Sequence, residues 1–201
     1  MLLNKVLKNK NYRLLFLSLF IAPLLNAQTP AELALTNAVA QVTKNYPVPV
    51  HTKTLLFYLQ RNKNFNTVMY EANLLPNGKL DPANPISVYW IRYTEGGVKK
   101  ELNWIQRWLA FGVEFEPAKD GSGNFNVTFV ALKNRRVTLT LDSDGNPVAL
   151  LPLNGKLSRI TRIYGQAQET NWLPTVKFVQ MMGEDVKSKE QVVEYIFPKQ
   201  Q

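Results

Sequence analysis

ELNWIQRWLAFG, residues 101–112, has helical periodicity in a region whose other segments are typical of strands. At about 100° per residue, its apolar side chains fall on one half of a helix. That half has two flanks, with Leu102, Ile105 and Leu109 on one and Trp104, Trp108 and Phe111 on the other. Polar residues fill the opposite half, and Gly112 is a natural C-terminal stop. We expect the apolar half to bury against a sheet or to plug an open barrel end.

The segments around this helix predict about nine strands joined by short polar turns. They are 55–60, 67–72, 86–93, 125–132, 136–141, 148–151, 157–166, 175–182 and 191–197. Asn77-Gly78, Asp144-Gly145 and Asn154-Gly155 mark turns between them. The strand 86–93 is apolar on both faces, so its sheet must be covered on both sides or closed. We therefore predict a mainly β fold: an antiparallel curved sheet or small β-barrel, with the helix covering one end.

The N-terminal 27 residues have the layout of an export signal. A basic start without acidic residues leads into the apolar run 14–25, and Leu25-Asn26-Ala27 is a plausible cleavage site. The alternative is an uncleaved anchor, although the run is shorter than the roughly 20 residues of a spanning helix. Residues 28–51 predict a short helix, from about 30 to 43, and a proline-containing linker, and residues 52–198 predict a single β-rich domain. The expected location is periplasmic or otherwise exported, with no stable transmembrane span after cleavage.

Composition excludes several functional classes. The chain carries 24 Lys and Arg against 15 Asp and Glu, and the signal segment holds four of the basic residues. The scattered excess that remains is not the basic stripe of a nucleic-acid-binding surface. The chain has no cysteine, and His51 is its single histidine. We expect no metal site and no cofactor, and we interpret His51 as a loop residue and the DSDGN motif at 142–146 as a hairpin turn.

Two groups of polar residues could carry a function. The first is a predicted ligand-binding cluster of Arg61, Asn66, Tyr89, Arg92, Gln106 and Arg107. If the polar side of the helix faces a cavity, its arginines could hold a carboxylate or a phosphate; if it faces water, they only add solubility. The second group consists of strand carboxylates that could pair in a hydrolase, Glu71, Glu114, Glu116 and Glu194. Spacing selects no pair among these carboxylates, and catalytic residues remain unknown.

Several strings resemble a family of uncharacterised exported bacterial proteins, the domain of unknown function 4833 family. They are LFYLQRN at 56–62, NTVMYEAN at 66–73, PISVYWI at 85–91, the helix 102–112, PTVKF at 174–178 and GED at 183–185. Phe111 stands where the family pattern leads us to expect tyrosine. The resemblance implies a single domain in the cell envelope and brings no activity with it.

Three functions follow from these patterns. The first is a non-catalytic binding module that holds a small amphipathic or anionic molecule. The second is an envelope structural or assembly partner that uses a strand edge or an aromatic patch. The third is a carboxylate-dependent hydrolase. The expected partner is accordingly a small molecule or an envelope protein, and a hollow interior would favour the first function over the second.

Overall fold

The computed structural model describes residues 46–168 and 175–197, all within one compact unit. Eleven strands and one short helical segment make up its regular structure. The strands are β1 (Leu55–Arg61), β2 (Asn64–Ala72), β3 (Ile86–Arg92), β4 (Val98–Glu101), β5 (Val113–Pro117), β6 (Phe125–Phe129), β7 (Leu132–Leu141), β8 (Pro147–Leu153), β9 (Lys156–Gln168), β10 (Thr175–Asp185) and β11 (Gln191–Ile196). A 3₁₀ turn, Tyr93–Glu95, follows β3. Between β4 and β5 lies α1 (Trp104–Gln106), which continues as a π-helical turn (Arg107–Phe111).

The strands form one sheet that forks at β9. Nine of them follow the path β4-β3-β2-β1-β9-β8-β7-β6-β5, while β10 and β11 continue from β9. Arg159 and Tyr164 of β9 both pair with β10. Arg159 also pairs with Leu150 of β8, and Tyr164 also pairs with Gln60 of β1. Because each residue has one neighbour on each edge of a strand, β1 and β8 share the edge of β9 opposite β10. The sheet therefore divides into two wings, β1–β4 and β5–β8, and curls into a half-barrel.

Aromatic side chains from both wings fill the space between them. Phe57 of β1 stacks on Tyr70 of β2 with ring centroids 4.5 Å apart. Both rings meet Phe129 of β6 edge-on, at 5.8 and 6.1 Å. A single cluster of buried apolar residues runs from β1 through β11. The interior of the described half-barrel is consequently filled by side chains rather than left open for a ligand.

The mainly β fold with one helix is confirmed, and the nine predicted strands are all present. One strand escaped prediction, β4, which reads VKKE and is exposed along its whole length. The strand position predicted for Glu114 and Glu116 is present as β5, in addition to the nine. Neighbouring strands pair antiparallel as expected, but β1 and β9 pair in parallel.

His51 is exposed, and Asp142 accepts from the amides of Asp144 and Asn146 in the β7–β8 turn, as predicted. The predicted signal segment and N-terminal helix lie outside the described residues.

The orientation predicted for the helix is wrong. Trp104, Ile105, Trp108 and Leu109 point away from the core, and only Leu102, Ala110 and Phe111 pack against it. Periodicity tells which side chains share a face, but it does not tell which face meets the sheet. Here the segment is held at both ends: Leu102 is buried before it, and Phe111 is buried at its last position. The π-helical turn, closed by a hydrogen bond from Gly112 N to Arg107 O (3.0 Å), also departs from 100° per residue.

Candidate functional site

Two arginines meet on one indole at the core face of β1–β3. The Arg61 Cζ atom lies 5.1 Å from the ring centroid of Trp90 and 5.1 Å from that of Phe111. Arg92, two residues after Trp90 on β3, places its Cζ atom 5.4 Å from the same indole. Trp90 and Phe111 in turn contact edge-on at 5.1 Å. We call Arg61, Arg92, Trp90 and Phe111 the arginine cluster.

The electrostatics of the arginine cluster are unbalanced. Burial lowers the pKa of the Arg61 guanidinium, and the like charge of Arg92 lowers it further. Arg92 has a carboxylate partner in Glu95, at 3.5 Å, but within residues 46–168 and 175–197 no carboxylate lies within ion-pair distance of Arg61. The Nε atoms of both arginines are buried without a hydrogen-bond acceptor among these residues. The cluster thus holds two cations with a single acidic partner.

Amide side chains support the cluster. Asn66 Oδ1, in β2, accepts from the backbone N (3.0 Å) and the hydroxyl (2.9 Å) of Thr94 in the turn after β3. Gln106 Oε1 accepts from the indole Nε1 of Trp90 at 3.1 Å and from the Asn103 amide at 3.2 Å. The Gln106 side chain thereby connects the helical segment to the buried indole on which both arginines stack.

The structure separates the other two residues of the predicted set from this cluster. Tyr89 lies on the opposite face of the sheet with Leu55 and Met69, and Lys99 Nζ lies 3.8 Å from its ring centroid. Arg107 Nη2 pairs with Glu101 Oε2 at 2.6 Å on the surface. Arg61, Arg92 and Gln106 thus come together around Trp90, and Asn66 bonds to the turn that follows Arg92, while Tyr89 and Arg107 do not join them.

Sequence reasoning missed a second feature, the outward apolar face formed by Trp104, Ile105, Trp108 and Leu109. These side chains are 73%, 45%, 69% and 60% exposed, whereas Trp90 is 2% exposed. Asn103 caps the segment, because its Oδ1 accepts from the Gln106 amide at 2.8 Å. At the other end the Tyr70 hydroxyl donates to the Phe111 carbonyl at 2.9 Å. The periodicity groups these four side chains with Leu102 and Phe111, which the structure buries, so it predicts neither the membership of the outward face nor its direction.

Two shallow depressions open on the surface. One, of about 230 Å³, lies beside the helical segment and is lined by Ile86, Val88, Arg107, Gly112, Val113 and Phe115, with Asn84 at its edge. The other, of about 270 Å³, is lined by β1 residues such as Tyr58 together with His51, Arg159 and Glu184. Neither depression contains the arginine cluster, so a ligand of that cluster would bind at its rim.

The four candidate carboxylates lie in separate environments. Glu71 accepts from the Thr52 hydroxyl at 3.0 Å. Glu194 pairs with Arg135 at 2.7 Å and also accepts from the Asn154 amide at 3.0 Å. Glu116 pairs with Arg136 at 3.8 Å, and Glu114 is exposed on the same edge strand. Each carboxylate has a structural position of its own, and no geometry selects two of them as an acid and a base.

A family model described as a domain of unknown function (DUF4833) matches residues 57–195. The chain belongs to this family. The DUF4833 match includes the whole arginine cluster and the outward apolar face, and it confirms the resemblance found in the sequence. No curated protein and no solved structure matches the chain.

Within the part of the chain that the structure describes, no group of three His, Asp or Glu side chains is placed to hold a metal ion. Among the same residues, no helix has both the length and the apolar character required to cross a bilayer.

Proposed function

We propose that this DUF4833 domain is a non-catalytic binding module that acts outside the cytoplasm and binds a small anionic ligand at the arginine cluster. The observation that carries the proposal is Arg61: a half-buried guanidinium, stacked on two aromatic rings, without a carboxylate partner among the described residues. Export rests on the layout of residues 1–27.

Charge supports an anion as the ligand. Bringing two guanidinium groups together on one indole costs free energy, because their like charges repel. A carboxylate or phosphate between them would supply the missing negative charge. The planar guanidinium is suited to such groups, since it can donate two parallel hydrogen bonds to them.

Stacking supports a positioned site rather than a mobile surface charge. Trp90 and Phe111 hold the Arg61 guanidinium from two directions, and the indole N–H is itself fixed by Gln106. A guanidinium oriented before binding loses less conformational entropy when an anion arrives. The cluster therefore has the rigidity that a recognition site requires.

The described interior is filled rather than hollow, which speaks against an enclosed ligand and leaves only the surface of the arginine cluster for binding. A molecule enclosed within the half-barrel would have to displace core side chains such as Phe57 and Phe129. We therefore expect the anionic group to bind at the rim of the cluster. An apolar tail, if the ligand is amphipathic, would lie along the nearby depression that contains Val88 and Val113.

Isothermal titration calorimetry with inorganic phosphate and with decyl phosphate tests the proposal. Both should bind the purified protein, and decyl trimethylammonium should not. Arg61→Gln should weaken the phosphate affinity about tenfold or more, since a hydrogen bond to a charged group contributes about 1.5–3 kcal/mol. Arg61→Lys should lose part of the affinity, because it keeps the charge without the planar donor pair.

Arg136→Gln is the matched control, since Arg136 is an exposed arginine that pairs with Glu116 away from the cluster. It should leave both affinities unchanged. Equal phosphate affinity in the wild type and Arg61→Gln, with unchanged thermal midpoints, would reject the cluster as the site.

A further inference from the structure

Lys100 brings a third cation to the rim of the arginine cluster. It lies on β4 directly opposite Trp90, and residues opposite each other in an antiparallel pair point to the same face of the sheet. Arg92, two residues after Trp90, points to that face as well. Three strands therefore contribute one basic side chain each, Arg61 from β1, Arg92 from β3 and Lys100 from β4.

Glu95 connects two of these cations. Its Oε1 atom lies 3.5 Å from Arg92 Nη1, and its Oε2 atom pairs with Lys100 Nζ. The hydrogen bond from Lys100, together with the charges of Lys100 and Arg92, holds the pKa of the Glu95 carboxyl below its usual range. The carboxylate is thus ionised at neutral pH and acts as an internal anion of the cluster.

The turn after β3 holds Glu95 beside the cluster. Gly97 N donates to Arg92 O at 2.9 Å and closes the turn. Asn66 Oδ1 accepts from both the backbone N and the hydroxyl of Thr94. The carboxylate is therefore attached to a fixed turn, whereas its own side chain is 42% exposed and can rotate into solvent.

The other acidic side chains of this region do not pair with the three cations. Glu101 pairs with Arg107, and Glu116 of β5 pairs with Arg136. Among the described residues, neither these two carboxylates nor Glu114 lies within ion-pair distance of the three cations. Three cations and one carboxylate leave the rim with an excess of two positive charges.

Building on the proposed function, we propose that Glu95 occupies part of the anion site in the free protein, and that a doubly charged phosphate group displaces it and binds the three cations. An external carboxylate would offer the same group as Glu95 without being attached to the chain, so it competes poorly. A doubly charged phosphate matches the excess charge and offers three acceptor oxygens to three basic side chains.

Displacement of Glu95 is inexpensive, and it completes the site. Ion pairs between exposed side chains contribute little to stability, because water solvates both partners. Glu95 and Lys100 are such a pair, at 42% and 49% exposed. The Nε atom of Arg92 is meanwhile buried without an acceptor among the described residues, so the internal carboxylate leaves one donor unsatisfied.

Isothermal titration calorimetry with inorganic phosphate tests the displacement, at about pH 8 and about 0.15 M ionic strength, where phosphate is mostly doubly charged and distant charges are screened. Glu95→Gln should bind phosphate about fivefold more tightly than the wild type or better, because the internal competitor is removed. Glu101→Gln is the matched control, since it removes the same charge from a neighbouring pair with Arg107. It should change the affinity less than about twofold. An equal gain in both variants would show a general charge effect and overturn the proposal.

Lys100→Gln separates direct contact from such a general effect. In the Glu95→Gln background it should reverse most of the gain, because Lys100 is then free to bind phosphate. In the wild-type background the loss should be smaller, since the substitution also releases Glu95. Equal losses in both backgrounds would mean that Glu95 does not compete for Lys100 and would overturn the proposal. Thermal midpoints establish that each variant is folded.

Two measurements on the wild type need no variant. Acetate should bind much more weakly than phosphate, and equal affinities would contradict the ligand class. In ¹³C NMR, the carboxyl resonance of Glu95 should move when phosphate is added, while that of Glu101 should not. A stationary Glu95 resonance during phosphate binding would contradict displacement.

A soluble phosphate ester and a lipid headgroup offer the same chemical group. Titration with glycerol 3-phosphate, and with phosphatidylcholine vesicles that contain phosphatidic acid, distinguishes these sources. Binding to either supports the proposal, and binding to neither overturns it.

The Arg61→Gln variant keeps the two proposals distinguishable. If it weakens phosphate binding while Glu95→Gln does not strengthen it, the arginine cluster remains the site and only the displacement of Glu95 is rejected. If Arg61→Gln binds phosphate as tightly as the wild type, the proposed function is rejected and the displacement with it.

Discussion

Trp90 and Trp108 are the same residue type in opposite environments. Trp90 is 2% exposed, stacks with two arginines, meets Phe111 edge-on, and donates its indole N–H to Gln106. Trp108 is 69% exposed and lies on a short helix whose inner side is the part that contacts the core. Trp90 is thus the buried centre of the arginine cluster, whereas Trp108 is exposed on the outward apolar face.

The contrast shows that this fold does not use all its large apolar residues for stability. Burial of an indole removes apolar area from water and lowers the free energy of the folded state. An exposed indole contributes almost nothing of that kind, so the two positions should respond differently to substitution. The following substitutions separate the two roles, beginning with the largest expected effect.

Substituting each indole in turn is the strongest way to separate them. Trp90→Ala should lower the free energy of unfolding by about 3–5 kcal/mol, because it leaves a cavity beneath two arginines. Trp108→Ala should change it by less than about 0.5 kcal/mol, as is usual for an exposed position. Urea unfolding followed by circular dichroism measures both. Equal losses at the two positions would mean that Trp108 is also buried.

Tyr70→Phe tests the connection between the core and the displayed segment. It leaves the buried Phe111 carbonyl without the hydroxyl donor now 2.9 Å away, which should cost about 1–3 kcal/mol. Tyr93→Phe, at a half-buried position in the turn after β3, is the control and should cost less than about 0.5 kcal/mol. If both variants unfold at the wild-type urea concentration, the Tyr70 hydroxyl does not hold the segment.

Asn103→Ala removes the cap of the segment and should have the smallest of the three effects. Loss of a helix N-cap costs about 1 kcal/mol, and Asn103→Asp, which keeps the acceptor, should retain most of the stability. Hydrogen exchange at the Gln106 amide should accelerate in the alanine variant alone. Unchanged exchange there would show that the cap does not order the segment.

The strands could be predicted because each has, within its own few residues, the apolar pattern and the flanking turn that indicate a strand. Ile86–Arg92 alternates apolar side chains on both faces, and Asn154-Gly155 has the two positive φ values, 47° and 77°, of a tight hairpin turn. The fork at β9 could not be predicted, since it depends on which distant strand meets each half of a 13-residue strand. The parallel pairing of β1 with β9 is a product of that fork.

The candidate site was predictable in part for the same reason. Arg61 and Arg92 end apolar strands, and that position placed them on the core face beside Trp90. The predicted cluster includes Tyr89, although Tyr89 precedes Trp90 in the same strand and consecutive strand residues point to opposite faces of a sheet. The helix direction goes with contacts between distant segments, such as the hydrogen bond from the Trp90 indole to Gln106 Oε1, and the periodicity of residues 101–112 carries no information on such contacts.

The fold contains a buried indole, Trp90, and two exposed ones, Trp104 and Trp108, and ¹⁹F NMR of the protein grown with 5-fluorotryptophan tests this difference most directly. Conservative Trp→Phe variants assign the resonances. Those of Trp104 and Trp108 should show a large H₂O/D₂O solvent-isotope shift and broadening by a soluble gadolinium chelate, while that of Trp90 should show neither. Protection of Trp104 and Trp108 from solvent would contradict the account, since it would mean that the apolar half of the helix packs on the sheet.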